Sequence, residues 1–243
     1  MSAAARALAL HRIRVMAQSL GPVNSQLVFI GAAILPLLVT DDDRWSVPRS
    51  TDDVDAVAAT ATYTQQALLE EALRSRGFKP SMDGRHIGRY RAPDGSAFDL
   101  SFAGDHPGGT GSMVDALAIE TAETVEGTPP IRHLSATGFF LMKQAAFRDR
   151  GRAKLFESKD LADLAVLLVG RTSLLVEMQT QAAESSIIKD ALISAANALL
   201  AEKGIEAALR THFRSRAPIA PDTDATLAEE GIEQLKAIAS LRA

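Results

Sequence analysis

The sequence predicts an α+β protein in which a mixed sheet with flanking helices (residues 1–134) is followed by a helical domain (residues 135–243). Strand-like apolar runs and period-two alternation are interleaved with helical patterns before residue 135, and only helical patterns follow it. Aromatic residues make up only 5% of the chain while Ala and Leu are abundant, a composition that favours helices over strands. A chain of 243 residues can bury the core of one large domain or two small ones.

The elements of the first domain follow from periodicity and from the glycine and proline residues that interrupt it. A helical pattern ends at Gly21-Pro22, and Gly31 turns a short apolar strand into a short helix. The turn Pro93-Asp94-Gly95 joins two alternating segments into a β-hairpin, and a Gly-rich loop follows at 104–112. The predicted helices are 3–19, 32–39 and 63–76, the last with Gly77 as its C-cap. The predicted strands are 27–30, 54–58, 86–91, 97–102, 116–121 and 131–134, of which the last two would pair.

The second domain is predicted to contain helices only. Ser135 and Ser158 stand where helix N-caps are expected, because a serine hydroxyl can accept a hydrogen bond from a free amide of the first turn. The predicted helices are 135–150, 158–168, 172–184, 186–203 and 223–241.

The composition excludes several classes of protein. A formal net charge of −4 argues against non-specific coating of nucleic acid, so any RNA or DNA contact would be local. The absence of cysteine excludes disulfides, thiolate zinc sites and cysteine nucleophiles, and it fits a reducing compartment. The longest apolar run, residues 27–39, has 13 residues and contains Pro36, whereas a membrane-spanning helix needs about 20. We expect a soluble cytoplasmic protein with no membrane contact, although the Arg-containing N-terminal segment leaves a transit peptide open.

Two aspartates form the most informative motif, in the segment Arg49-Ser50-Thr51-Asp52-Asp53-Val54-Asp55. Because side chains alternate along a strand, Asp53 and Asp55 point the same way while Val54 packs into the core. Adjacent carboxylates repel each other unless a cation lies between them, and hard oxygen ligands favour Mg²⁺ or Mn²⁺. An isolated Asp-x-Asp is most often a turn or a solvated strand end, so the motif needs support from elsewhere in the chain.

Three other features support it. A third carboxylate, Asp99, is aimed away from the core because its apolar neighbours face inward in Phe98-Asp99-Leu100-Ser101-Phe102. Gly31 lies between a predicted strand and helix, where a small residue lets the backbone approach a phosphate and the helix N-terminus favours negative charge. Arg49 and Thr51 precede the Asp pair and can fix its geometry. These features predict a site for a metal ion and a phosphate group.

A basic patch between residues 143 and 159 stands out in this acidic protein. It contains six Lys or Arg residues against two acidic ones, a net charge of +4. Lys143 and Arg150 are seven residues apart on a predicted helix and share a face, as do Asp160 and Asp163 after Lys159. Taken alone, Lys143 would be a solvated helix residue and Asp160 would complement a helix dipole.

Together these motifs resemble those of the DNA polymerase β-like nucleotidyltransferase superfamily and, within it, the AbiEii-type abortive-infection toxins. The resemblance covers about residues 28–168 and is carried by Gly31-Ala32-Ala33, the Asp53/Asp55 segment, Asp99 and the later Lys and Asp motifs. It implies a nucleotidyltransferase core whose active-site cleft is completed by the helical domain. It also implies two metal ions held by Asp53, Asp55 and Asp99, with Lys143 on the nucleotide phosphates. The resemblance further implies nucleotide-binding roles for Gly31, Ala32, Arg49, Thr51, Arg150, Lys159, Asp160 and Asp163.

The chain departs from the family at the strand-to-helix turn. The family usually has Gly-Gly or Gly-Ser there, whereas this chain has Gly31-Ala32. The small Ala32 still permits close approach of the backbone but lacks the serine hydroxyl. This departure would fit a catalytically degenerate member that acts as a binding scaffold.

The hypothesis is transfer of a nucleoside monophosphate from a nucleoside triphosphate, with pyrophosphate as the leaving group. Asp99 would complete the catalytic metal site and accept the acceptor's proton, and Lys143 would neutralise the triphosphate. The resemblance favours a tRNA or protein acceptor and a toxin-type role, with an antitoxin partner left open. A small-molecule acceptor, as in antibiotic-type nucleotidyltransferases, is the alternative enzyme.

Other signals predict less. The Gly-rich loop lacks Gly-Lys-Ser/Thr and is not a P-loop, and no nucleophile pattern accompanies Asp105 and His106. His133 is expected to be a hydrogen-bonded residue at a strand end. A short cationic stretch near residue 210 is expected to be a solvated helix end rather than an RNA contact. It comprises Arg210, His212, Arg214 and Arg216.

Overall fold

A computed structural model describes residues 3–41, 51, 53–60, 62–81, 88–106, 109–110, 112–214 and 223–241. The described residues form an α+β fold with one seven-stranded mixed sheet. The strands are β1 (Leu27–Ile30), β2 (Asp53–Ala59), β3 (Lys79–Pro80), β4 (Arg89–Arg91), β5 (Ala97–Ala103), β6 (Glu123–Val125) and β7 (Ile131–His133). The helices are α1 (Ala3–Leu20), α2 (Leu35–Leu38), α3 (Tyr63–Ser75), α4 (Met113–Glu120), α5 (Ala136–Ala146), α6 (Lys159–Gly170), α7 (Leu174–Glu184), α8 (Ser186–Leu200), α9 (Ile205–Arg214) and α10 (Thr223–Ala239).

The strand order across the sheet is β3-β4-β5-β2-β1-β7-β6. Two neighbouring pairs are parallel, β2 with β5 and β1 with β7, and the other four pairs are antiparallel. The predicted hairpin is confirmed for its described part, because β4 and β5 pair in antiparallel register around the turn Pro93-Asp94-Gly95. Residues 86–87, the start of the predicted first hairpin strand, lie outside the described residues.

Alternation along β2 and β5 separates a core face from a polar face. Val54 is buried between the half-buried Asp53 and Asp55, as predicted. On β5 the apolar residues Phe98, Leu100 and Phe102 are at most 4% exposed, which confirms that they face the core. The aspartates of both strands are therefore left on the opposite face.

The predicted strand 116–121 is wrong, because residues 116–120 belong to α4 and Thr121 is its C-cap. Ser112 caps this helix by accepting a hydrogen bond from the Asp115 amide at 3.3 Å, and Leu117 and Ala118 are buried on its inner face. A short apolar segment fits a strand or a helix equally well, and here the cap selects the helix. The strand that pairs with β7 on its outer side is instead β6, which the sequence analysis did not predict.

The chain forms two compact units. The sheet unit comprises residues 7–34 and 49–138, and the helical unit comprises residues 1–6, 35–48 and 139–243. The predicted domain boundary after residue 134 stays a prediction.

Helix caps in the second half of the chain follow the serine signals. Ser135 Oγ accepts a hydrogen bond from the Gly138 amide at 3.0 Å, and Ser158 Oγ accepts one from the Leu161 amide at 3.3 Å. The α-helix that begins after Ser135 ends at Ala146. A wider π-helical turn, Phe147–Gly151, directly follows it. The predicted single α-helix over 135–150 is therefore too long by this turn.

Helix α9 was missed, because its basic residues concealed an amphipathic pattern. Ile205, Ala208, Leu209 and Phe213 recur at helical spacing and are buried. Within the described ranges, no helix is both long and apolar enough to cross a membrane.

Candidate metal centre

Three carboxylates meet on the polar face of β2 and β5. Because the two strands are parallel neighbours in register, Asp55 lies directly opposite Asp99, and Asp53 lies two residues before Asp55 on the same face. One oxygen from each of the three side chains lies within 4.8 Å of the other two, and all three residues are half-buried. We call this set, Asp53, Asp55 and Asp99, the carboxylate cluster.

The carboxylate cluster can hold a metal ion. Its donors are all oxygens, the ligand type that hard divalent cations prefer. Three carboxylates at these separations repel one another unless positive charge lies among them. The donor set therefore fits a cation of this class.

Gly31 makes room for one of the carboxylates. It directly follows Ile30, which pairs with Asp55 across β1 and β2, and it has a φ of +75°. A Cβ atom on residue 31 would overlap the Asp55 carboxylate, so only glycine fits here without a shift. The structure thus explains glycine at position 31 by the space that the Asp55 carboxylate needs. A role of Gly31 in phosphate binding stays a prediction.

The helix that follows Gly31 is shorter than predicted. Ala32 is buried and begins a 3₁₀ turn, Ala32–Ile34, and α2 spans only Leu35–Leu38. A single helical turn carries little of the dipole that would favour an anion at its N-terminus. The nucleotide-binding role of Ala32 likewise stays a prediction.

The residue that sequence analysis missed is Arg89 on β4. Its Nε donates a hydrogen bond to Asp99 Oδ1 at 2.7 Å and its Nη2 donates one to Asp99 Oδ2 at 2.6 Å. The same Nη2 lies 3.3 Å from Asp53 Oδ2. The hydrogen bond to Asp99, together with the nearby aspartate charges, raises the pKa of Arg89 further above its usual value despite partial burial.

A signal for Arg89 was present in the sequence. In an antiparallel hairpin, residues equally far from the turn face each other. The turn at Pro93-Asp94-Gly95 therefore places Arg89 opposite Asp99, which is the observed register. Applying the hairpin register to the charged residues would have found this pair.

Thr51 positions one of the carboxylates. Its hydroxyl donates a short hydrogen bond to Asp53 Oδ1, and its own carbonyl accepts a hydrogen bond from Arg12 Nη1 at 3.0 Å. Thr51 thus contacts one member of the Asp pair, and its role toward a nucleotide stays a prediction. The other residue expected to fix the geometry of that pair, Arg49, lies outside the described residues.

The later predicted site residues form a second cluster, within the helical unit. Lys143 Nζ on α5 lies 3.0 Å from Asp160 Oδ1 and 2.8 Å from Asp163 Oδ2, both on α6. Arg150 adds two hydrogen bonds to Asp160, at 2.9 and 3.1 Å. Burial would raise the pKa of Asp160, but the Arg150 hydrogen bonds and the Lys143 charge together lower it below its ordinary value.

This second cluster is more deeply buried than a solvated surface patch. The side chain of Lys143 is 11% exposed and that of Asp163 is fully buried. Lys159 is exposed at the first position of α6. The structure thus brings Lys143, Arg150, Asp160 and Asp163 together, and their roles toward a nucleotide stay predictions.

Other singled-out residues have local partners. His133 is buried with Nδ1 2.7 Å from the Leu134 carbonyl oxygen, which confirms a hydrogen-bonded strand-end histidine. Arg210 and Arg214 both bind Asp224, at 3.0 and 2.9 Å. His212 is buried against the Leu155 carbonyl. The cationic stretch is therefore largely engaged within its own unit, and its fourth member, Arg216, lies outside the described residues.

Comparison with known proteins gives no family. No protein-family model matches this chain, and no curated protein matches it. Functional assignment therefore depends on the chemistry of the residues.

Proposed function

We propose that this protein is a metal-dependent nucleotidyltransferase that transfers a nucleoside monophosphate from a nucleoside triphosphate to an acceptor and releases pyrophosphate. One observation supports this most directly. Asp55 and Asp99 lie opposite each other on adjacent parallel strands with Asp53 beside them, so that three carboxylate oxygens converge within 4.8 Å. Such an oxygen cluster suits Mg²⁺ or Mn²⁺, the cations that accompany triphosphates.

In this proposal Asp53, Asp55 and Asp99 hold the cation. When bound, the cation would neutralise negative charge on the triphosphate. Thr51 orients Asp53 through its hydroxyl, and Gly31 leaves the space that Asp55 occupies. Acceptance of the acceptor's proton by Asp99 would weaken its hydrogen bonds to Arg89, because both Asp99 oxygens accept from that guanidinium and the proton would remove the negative charge that they share.

The proposed acceptor is a tRNA or a protein. Support comes from the basic patch at residues 143–159 in an otherwise acidic chain and from the resemblance of the motifs to toxin-type enzymes. Part of the patch is neutralised within the helical unit: Arg152 pairs with Glu202 at 2.6 Å and Arg148 with Asp149 at 3.0 Å. Lys154 and Lys159 are exposed and the Arg150 side chain is 68% exposed, so these cations are accessible to an anionic acceptor.

The test is labelling of an acceptor by each of the four α-³²P nucleoside triphosphates, with Mg²⁺ or Mn²⁺. Total tRNA, a protein extract and an aminoglycoside are offered in parallel. Wild type is compared with Asp53→Asn and Asp55→Asn, which remove charge but keep shape. Asp94→Asn, in the exposed turn of the β4–β5 hairpin, is the matched control. We expect labelling by wild type and Asp94→Asn and its loss in the other two variants; labelling that survives in Asp55→Asn means that the site is wrong.

A thermal-shift measurement separates an enzyme from a degenerate scaffold. A nucleotidyltransferase should be stabilised by a nucleoside triphosphate only when the divalent cation is present. A scaffold should show no metal-dependent stabilisation with any of the four nucleotides.

In the labelling experiment, labelling of the aminoglycoside alone would redirect the proposal to a small-molecule acceptor.

A further inference from the structure

Arg89 places a positive charge directly on the carboxylate cluster. Its guanidinium binds Asp99 through both oxygens, at 2.7 and 2.6 Å, and its Nη2 also lies 3.3 Å from Asp53 Oδ2. Nη2 thus bridges two of the three carboxylates from separate strands. A flat, two-pronged contact of this kind is the strongest form of an arginine–carboxylate pair.

A divalent cation would use two of the same carboxylates, and because Arg89 binds both Asp99 oxygens, any oxygen that Asp99 gives to a cation is one that Arg89 contacts. Asp53 and Asp99 contribute two of the three oxygens that lie within 4.8 Å of one another. A cation bound there would lie within a few ångströms of the guanidinium, and at such distances like charges repel appreciably even at the moderate effective dielectric of a protein surface. Occupancy of these oxygens by Arg89 and occupancy by a cation therefore oppose each other.

We propose that Arg89 is a built-in counter-cation that competes with the divalent cation for Asp53 and Asp99. Without metal, Arg89 offsets the mutual repulsion of the carboxylates and keeps the cluster assembled. When a cation binds, the side chain of Arg89 withdraws from the shared oxygens. This inference rests on the proposed metal site, and it makes binding of a free divalent cation weaker than three carboxylates alone would give.

The competing explanation is a cross-strand ion pair that only stabilises the hairpin. Arg91 provides an internal comparison, because it lies on the same strand two residues later and its cross-strand neighbour on β5 is Ala97, whereas that of Arg89 is Asp99. Removal of either arginine removes one positive charge from β4. Only removal of Arg89 frees oxygens of the carboxylate cluster, so only that change should strengthen metal binding if the two cations compete.

In the experiment, Mn²⁺ alone is titrated into the full chain and its binding is measured by isothermal titration calorimetry. Arg89→Gln is compared with wild type, with Arg91→Gln and with Asp55→Asn. We expect Arg89→Gln to bind Mn²⁺ about tenfold more tightly than wild type or more, since one opposing charge is lost. Arg91→Gln should bind as wild type does, and Asp55→Asn should bind weakly or not at all.

Urea unfolding in a chelator gives the second readout. Arg89→Gln should be less stable than wild type without metal and should regain more stability than wild type when Mn²⁺ is added. If Arg89→Gln does not fold, Arg89→Lys replaces it; this variant keeps the charge but loses the two-pronged contact, so its Mn²⁺ affinity should still exceed that of wild type.

The outcomes separate this inference from the proposed function. If a folded Arg89 variant binds Mn²⁺ no more tightly than wild type, while Asp55→Asn abolishes binding, the competition is refuted and the metal site stands. If neither wild type nor the Arg89 variant shows saturable binding, the metal site is refuted together with the competition.

Discussion

The carboxylate of Asp55 fills the space that a side chain on Gly31 would occupy. Residue 31 directly follows β1 and has a φ of +75°, and Ile30, the last residue of β1, pairs with Asp55 on β2. Backbone conformation and close approach thus demand glycine at the same position. The position of one candidate metal ligand therefore depends on the absence of a side chain on the neighbouring strand.

Gly31→Ala should impair metal binding as well as stability. The left-handed backbone would cost about 1–3 kcal/mol, and the added methyl group would displace the Asp55 carboxylate from its place in the carboxylate cluster. Urea unfolding measures the first effect and Mn²⁺ calorimetry the second. Gly95→Ala is the control, because Gly95 has a φ of +88° but a Cβ there would meet nothing within 4 Å. Equal Mn²⁺ affinity in the two variants would contradict the packing argument.

Lys143→Met should destabilise the protein far more than Arg150→Met. Lys143 is buried with Asp160 and the fully buried Asp163, and removing a buried partner leaves charge uncompensated, at a cost of about 3–5 kcal/mol. Arg150 contacts the same Asp160, but its side chain is 68% exposed, so its loss should cost about 1 kcal/mol or less. The free energy of unfolding in urea measures both. Similar losses would show that burial does not set the strength of this network.

Acid should remove the contribution of Asp160 to stability. Its pKa is lowered in the folded protein, so the carboxylate stabilises the fold above about pH 4, the ordinary pKa of Asp, and this contribution is lost as the pH falls toward the lowered value. The difference in unfolding free energy between wild type and Asp160→Asn should shrink below about pH 4. Urea unfolding across a pH series tests this.

Asp115 supplies a comparison of opposite sign. Burial raises the pKa of Asp115, only partly opposed by the hydrogen bond from Thr110, so its charged form opposes folding near neutral pH. As the pH falls through this raised value, wild type should gain stability relative to Asp115→Asn. As the pH falls, the difference in unfolding free energy between wild type and variant should therefore shrink for Asp160→Asn and grow in favour of wild type for Asp115→Asn. If both differences change in the same direction, one of the two pKa directions is wrong.

Phe98→Ala should cost about 3–5 kcal/mol. Phe98 is fully buried, its ring lies 5.6 Å from that of Phe78 in an edge-on arrangement, and it immediately precedes Asp99 on β5. Phe98→Leu keeps most of the volume and should cost less, about 1.5 kcal/mol. Phe156→Ala, at a residue that is 51% exposed, should change stability by about 0.5 kcal/mol or less. Urea unfolding ranks the three variants, and a Phe98→Ala loss near that of Phe156→Ala would contradict the core assignment.

The sequence predictions were correct for features that depend on residues close together in the chain. The β4–β5 hairpin, the caps at Ser135 and Ser158 and the inward face of Phe98 follow from neighbours in the chain, and the structure has them. Helix α4 was mistaken for a strand because a short apolar segment satisfies both periods. Helix α9 was missed because its buried residues lie among basic ones.

By itself the sequence determined that Asp53 and Asp55 share one face of a strand and that Asp99 points away from the core, since alternation of side chains is a local property. Only the tertiary structure decided that β2 and β5 are parallel neighbours with Asp55 opposite Asp99. Pairing between strands as far apart in the chain as β2 and β5, with α3, β3 and β4 between them, depends on how the whole sheet buries its apolar face, which no local pattern specifies. The same packing brings Arg89 onto two carboxylates and Asp55 against Gly31, and so turns three separate acidic residues into one candidate site for a cation.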